Sequence, residues 1–133
     1  MNKHLVALFV IFTMISCSSD NDTMNEMTND QSDSEEIKGS FVSDAHPTSG
    51  MVSLNMERTV LNLDNFKTDD GPKLLLYLST NVDSQDFVNL GDLKGIEGDF
   101  QYNIPANTDL GRYKFVVVWC VDFSVSFGHA ELK

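Results

Sequence analysis

The stretch that decides the fold is Tyr113–Leu132, YKFVVVWCVDFSVSFGHAEL, which is dense in β-branched and aromatic residues and free of proline. Such a run reads as extended chain, whose successive side chains point to opposite faces. Tyr113, Phe115, Val117, Trp119, Val121, Phe123, Val125 and Phe127 occupy alternate positions. That face carries nearly all the aromatic bulk and is expected to be the core. Cys120 falls on the other face, after Val116 and Val118 and before Asp122, Ser124 and Ser126. One strand of this length is unusual, and a bend or bulge near Asp122 would reset the register beyond it. Val116, Val118 and Cys120 still need cover, because three apolar side chains in a row rarely face water. The second sheet, a loop carrying His46 or a bound group would each supply it.

Working outward, short β-rich runs recur: GSFVS, GMVSLNM, TVLNL, KLLLYLS, FVNLG and FQYNIP precede the two halves of the quoted stretch. AHPTSG, TDDGP, GDLKGIEG and PANTDLG punctuate them with the Gly, Pro, Asp and Asn that turns require. Beyond the first 16 residues no segment repeats apolar residues at i, i+3, i+4 and i+7. The expectation is an all-β domain over residues 37–133, an antiparallel β-sandwich or barrel-like fold of about eight strands. Its 97 residues suffice for one modest core.

The first 36 residues read differently. Lys3, an apolar run from Leu5 to Ile15 and the junction Met14-Ile15-Ser16-Cys17 have the layout of a secretory signal. The run is short of the roughly 20 residues that span a bilayer. MISC resembles a bacterial lipobox, which implies a lipoprotein signal peptide over residues 1–16 and lipid on Cys17. Acyl chains contribute about 0.8 kcal/mol per buried CH₂, so more than one anchors a protein stably. Ser18–Glu36 holds seven acids and no Lys or Arg. Too polar to form a core, it is expected to be a disordered acidic tether reaching at most roughly 60 Å. Acids close behind a lipidated cysteine also resemble lipoprotein export signals of Gram-negative bacteria. The expected location is therefore the cell envelope, at the outer membrane and its surface.

Charge separates tether from domain. Residues 37–133 carry 13 acids and 8 bases, a net of −5, within a chain of net charge −11. Without a basic patch, nucleic acid is excluded as a partner and anionic headgroups would repel the domain. The membrane partner is reached through the lipid on Cys17.

Several ordered pieces of the domain form a pattern. They are Phe41, His46 and Gly50; Val60-Leu61 and Phe66; Asp70-Gly71-Pro72 with Tyr77-Leu78; Leu90-Gly91, Leu93-Lys94-Gly95 and Gly98; Gln101-Tyr102 with Ile104-Pro105; and Trp119-Cys120 followed by Phe123, Phe127, Ala130 and Leu132. Over residues 38–132 the sequence resembles the electron-transfer DM-thirteen domain. The resemblance implies a small extracytoplasmic β-domain, sometimes fused to cytochrome-like DOMON domains. It also implies a redox role for Cys120, as a bare thiol or as ligand to a prosthetic group such as haem or a metal, with a redox protein as partner. Asp122 stands where the pattern favours a basic or neutral residue, which counts against a reactive thiol. His129 stands where a small residue is expected and offers a ligand.

The candidate site is thus Cys120 with His46 or His129 as second ligand. Each has a plainer account. A buried cysteine is a small hydrophobe, and a histidine beside Pro47 suits a solvated turn. With Cys17 lipidated, Cys120 has no partner for a disulfide in the chain. No cysteine-histidine-methionine cluster follows Cys120, which disfavours a cupredoxin-type copper site. Asp64, Asn65, Asp69 and Asp70 lack EF-hand spacing and read as a turn. The glycines Gly91, Gly95 and Gly98 precede no helix that would receive phosphate, and G-x-S-x-G, H-E-x-x-H and C-x-x-C do not occur. Two functions remain: an electron-transfer or thiol-redox module on a lipid tether, and a non-catalytic surface binding or structural domain in which Cys120 is packing.

Overall fold

A computed structural model describes residues 35–133. The expected signal peptide, Cys17 and the expected tether as far as residue 34 lie outside the described residues. Nine strands run in the order β1 (Lys38–Ser40), β2 (Val42–Ser43), β3 (Ser49–Leu54), β4 (Val60–Lys67), β5 (Leu74–Ser79), β6 (Phe87–Asp92), β7 (Glu97–Asn103), β8 (Phe115–Cys120) and β9 (Val125–Glu131). They make two antiparallel sheets, β1-β3-β4-β7 and β2-β9-β8-β5-β6. The described residues contain no helix, and the domain is the β-sandwich that the turn-punctuated runs predict.

The chain changes sheets at Phe41, between β1 and β2, where its buried ring meets Phe66 edge-on at 5.1 Å. Strand β4 bulges opposite Gly50 of β3, whose φ is +118°. A Cβ there would lie 2.7 Å from Phe66 Cα, so this position needs glycine on both counts. The core takes Val52, Leu61, Leu63 and Phe66 from one sheet and Leu76, Leu78, Val116, Val118 and Phe127 from the other.

The quoted stretch departs from the sequence expectation in two ways. It is a hairpin rather than one long strand: β8 ends at Cys120, Val121–Ser124 form an exposed four-residue turn, and Cys120 pairs with Val125. Ser124 closes the turn with φ +50°. The core face is also inverted. Val116, Val118 and Cys120 point between the sheets, while Val117 joins Leu75 and Tyr77 in a second cluster on the outer face, flanked by Phe115 and Trp119. Both faces of β8 and β5 are apolar, so alternation alone does not choose between them. The space between two sheets suits Val, Leu and Cys, whereas the rings shield Val117 and one another on the outside.

Beyond the turn the register does reset. Val118 pairs with Gly128 and Trp119 with Ser126, leaving Phe127 as an extra residue in β9. Phe123 and Phe127, four apart on one predicted face, end up 67% and 1% exposed. Phe127→Ala is therefore expected to lower unfolding free energy by about 3–5 kcal/mol, and Phe123→Ala by no more than about 0.5 kcal/mol. Urea denaturation compares them, and equal losses would place both rings in the core.

Candidate functional site

Cys120 is the last residue of β8 and pairs with Leu74 on one side and Val125 on the other. It is 0% exposed and is the free cysteine among the described residues. Its neighbours along the inner face of β8, Val118 and Val116, are equally enclosed. Next to it the exposed turn begins, tied by the Val121 N–H to Lys73 O at 3.0 Å. The thiol is therefore sealed sideways by packing and lies one residue pair from an open hairpin end.

His46 is positioned by the bulge. As the extra residue, Phe127 has a carbonyl turned toward the Asp44–His46 segment, and it accepts the N–H groups of Asp44 (2.9 Å) and His46 (3.2 Å). Thr48 Oγ1 lies 3.1 Å from the same oxygen and 3.0 Å from the Thr68 hydroxyl. Thr48 packs directly over Gly128, where a Cβ would lie 2.3 Å from its own Cβ. So held, the His46 ring lies on the Phe127 ring with centroids 3.8 Å apart, and its Nδ1 is 2.9 Å from Asp69 Oδ2. A carboxylate only accepts, so the proton in this contact is on Nδ1.

His129 sits opposite Val117 in the register, on the outer face of its sheet. Its Nδ1–H donates to Asp44 Oδ2 at 2.8 Å, and the Ser126 hydroxyl donates to the same oxygen at 2.6 Å. The Phe115 ring meets it edge-on at 6.0 Å. The sheet separates His129 from Cys120, which points inward. The contacts of His46 are Asp69 and Phe127. The structure thus brings each histidine to its own aspartate and neither to the thiol.

A prosthetic group on Cys120 would need space at the sulfur and a second donor facing it. The enclosed thiol and the outward His129 provide neither, so haem or a metal ion does not fit this arrangement. No group of three or more His, Cys, Asp or Glu side chains among the described residues is placed to hold a metal ion. In the acidic turn Asp70 accepts the N–H of Gly71 and Asp69 pairs with His46.

Sequence reasoning missed the outer ring cluster. Tyr77 stacks on Phe87 with centroids 4.0 Å apart and lies 6.2 Å from Trp119, at interplanar angles of 15° and 25°. The rings belong to β5, β6 and β8 and meet only through strand pairing, which local periodicity does not reveal. The available signal was the two-sided apolar character of LLLYLS and FVVVWC.

The described residues thus form a two-sheet antiparallel sandwich with one enclosed thiol and with aromatic side chains clustered on an outer face. The family model described as Electron transfer DM13 matches residues 40–132, and the chain belongs to that family. No curated protein and no solved structure matches the chain.

Burial raises the phenols of Tyr77 and Tyr102 above their ordinary value of 10.0, and for Tyr102 the donated Lys94 N–H opposes the rise. The folded state therefore keeps protons that the unfolded chain has released, so this stability is complete below the unfolded value and is lost as pH rises through the folded ones. Urea midpoints measured from about pH 9 to about pH 11 are expected to fall, and less steeply for Tyr77→Phe. An unchanged slope in that variant would mean the Tyr77 phenol is not desolvated.

Proposed function

We propose that the chain is an electron-transfer module of the cell envelope, held to the outer membrane by lipid on Cys17, with Cys120 as a thiol-redox group gated by its hairpin end. Membership of the Electron transfer DM13 family supports the class of function. The observation that carries the finer reading is the position of Cys120: fully enclosed, yet in the last pair of β8 and β9 before four exposed turn residues. Strand ends open locally at a lower free energy than the whole domain unfolds. When the Cys120–Val125 pair frays, the sulfur meets a partner disulfide. It forms a mixed disulfide, and the departing partner thiolate takes up the thiol proton. While the pair is closed, packing protects the thiol from irreversible oxidation.

The alternative is a binding or structural domain in which Cys120 is only packing. It is favoured by the membership of Cys120 in the same cluster as Leu74, Val118 and Phe127. The two readings differ in how the thiol becomes accessible. In Cys17→Ser, which leaves Cys120 as the only thiol, modification by an aromatic disulfide reagent is followed at rising urea below the unfolding transition. Gating predicts a rate faster than global unfolding allows and nearly independent of urea. A rate that tracks global unfolding throughout means packing alone.

The same variant tests the anchor. Cys17→Ser is expected to leave the membrane fraction with residues 37–133 still folded. Continued sedimentation with membranes would refute lipid attachment at Cys17.

A further inference from the structure

We propose that Trp119 and Tyr77 form a one-electron relay on the outer face of the five-stranded sheet. The inference rests on the electron-transfer reading above but not on Cys120. The two rings lie on neighbouring strands, 6.2 Å apart and 25° from parallel. They are the most readily oxidised side-chain types after the thiol, and Trp119 is the one tryptophan in the chain. Phe87, 40% exposed, covers the other face of Tyr77 at 4.0 Å. Leu75 and Val117 complete an apolar seat that fixes both rings. The rings therefore hold one geometry as charge passes between them.

The surroundings supply the proton path. The Tyr77 hydroxyl bonds to no described residue, and Ser84 Oγ is the one buried, unpartnered side-chain N or O among the described residues. The Tyr77 oxygen is therefore largely buried but not sealed from water. The other two tyrosines differ: Tyr102 accepts the Lys94 N–H at 2.8 Å inside the sandwich, and Tyr113 donates to Asp86 at 2.9 Å.

The step balances as follows. An outer-sphere one-electron oxidant, such as a metal centre presented by a partner, takes one electron from the Trp119 indole. Tyr77 returns one electron to the indole and releases its phenolic proton to water. The result is a reduced oxidant, an intact Trp119 and a neutral Tyr77 radical, which a one-electron donor and a proton from water restore.

The test uses the full chain with photogenerated tris(bipyridine)ruthenium(III) as oxidant, reading transient absorption and electron paramagnetic resonance. The expected result is a tryptophanyl signal whose decay matches the rise of a tyrosyl signal, at a rate independent of protein concentration. Trp119→Phe should lose the fast rise. Tyr77→Phe, which removes only an unpartnered hydroxyl, should leave the tryptophanyl signal without a successor. Tyr102→Phe combined with Tyr113→Phe leaves Tyr77 as the last of the three tyrosines and should keep the rise. A tyrosyl rise that survives Tyr77→Phe or vanishes in the double variant overturns the relay, as does a tryptophanyl signal that never passes on. Cys120→Ala separates the two ideas. An intact relay in Cys120→Ala, together with ungated thiol modification in Cys17→Ser, defeats only the Cys120 reading, and a missing relay in Cys120→Ala together with gated modification in Cys17→Ser defeats only this one.

Discussion

One extra residue in β9 organises the end of the sandwich where the candidate groups lie. Because Phe127 is unmatched in the ladder, its carbonyl is available to the Asp44 and His46 amides and to Thr48, and its ring becomes the floor under His46. The same bulge turns Ser126 outward beside Asp44, which places that carboxylate under His129. A single insertion thus sets both histidine–aspartate pairs. It also turns the large ring of Phe127 inward, where a Cβ at Gly71 would lie only 3.0 Å from its Cζ. Without the bulge, the Asp44 and His46 amides would lose the Phe127 carbonyl that accepts them both, whereas β2 would keep its pairing with Gly128 and His129.

Much of the fold was legible because turn chemistry and β-rich runs agreed along the chain. The motif residues of the family resemblance are chiefly packing residues: Phe41, Leu61, Phe66, Leu78, Tyr102, Ile104, Ala130 and Leu132 are all buried. Lys94-Gly95 is explained by contact as well, since the Lys94 N–H meets the Tyr102 oxygen and a Cβ at Gly95 would lie 2.5 Å from the Phe100 ring. What the sequence pattern assigned wrongly was which side of β8 faces inward. Alternation identifies a face by contrast, and FVVVWC offers none, because each side of the strand is covered by a different apolar neighbour. Residue size misled in addition: the larger rings settled on the outside, where they shield each other, and the smaller side chains filled the gap between sheets.

The site was legible one residue at a time and not as a constellation. Cys120, His46 and His129 were each visible as chemistry-bearing groups. Their partners Asp69, Asp44 and Ser126 were not, since these contacts join residues 23, 85 and, for Ser126 with Asp44, 82 positions apart. The side of the sheet on which His129 falls depends on a bulge that local pattern does not announce. A one-residue slip in β9 would carry His129 to the other face, so the separation of His129 from Cys120 is a consequence of register.

The sheet that separates these groups also gives them different access. Trp119 and Cys120 are adjacent in sequence and point to opposite sides, so the backbone between them is all that divides the outer ring cluster from the core. A molecule approaching the outer face meets Phe87, Trp119 and His129 and cannot touch the sulfur without opening the hairpin. An electron is under no such restriction, because it needs proximity and a fixed geometry rather than a channel. Enclosure of the thiol and partial exposure of the rings therefore belong to one arrangement: under the two proposed roles, thiol exchange, which needs contact, is closed off, while electron transfer through the rings, which needs only proximity, stays at the surface.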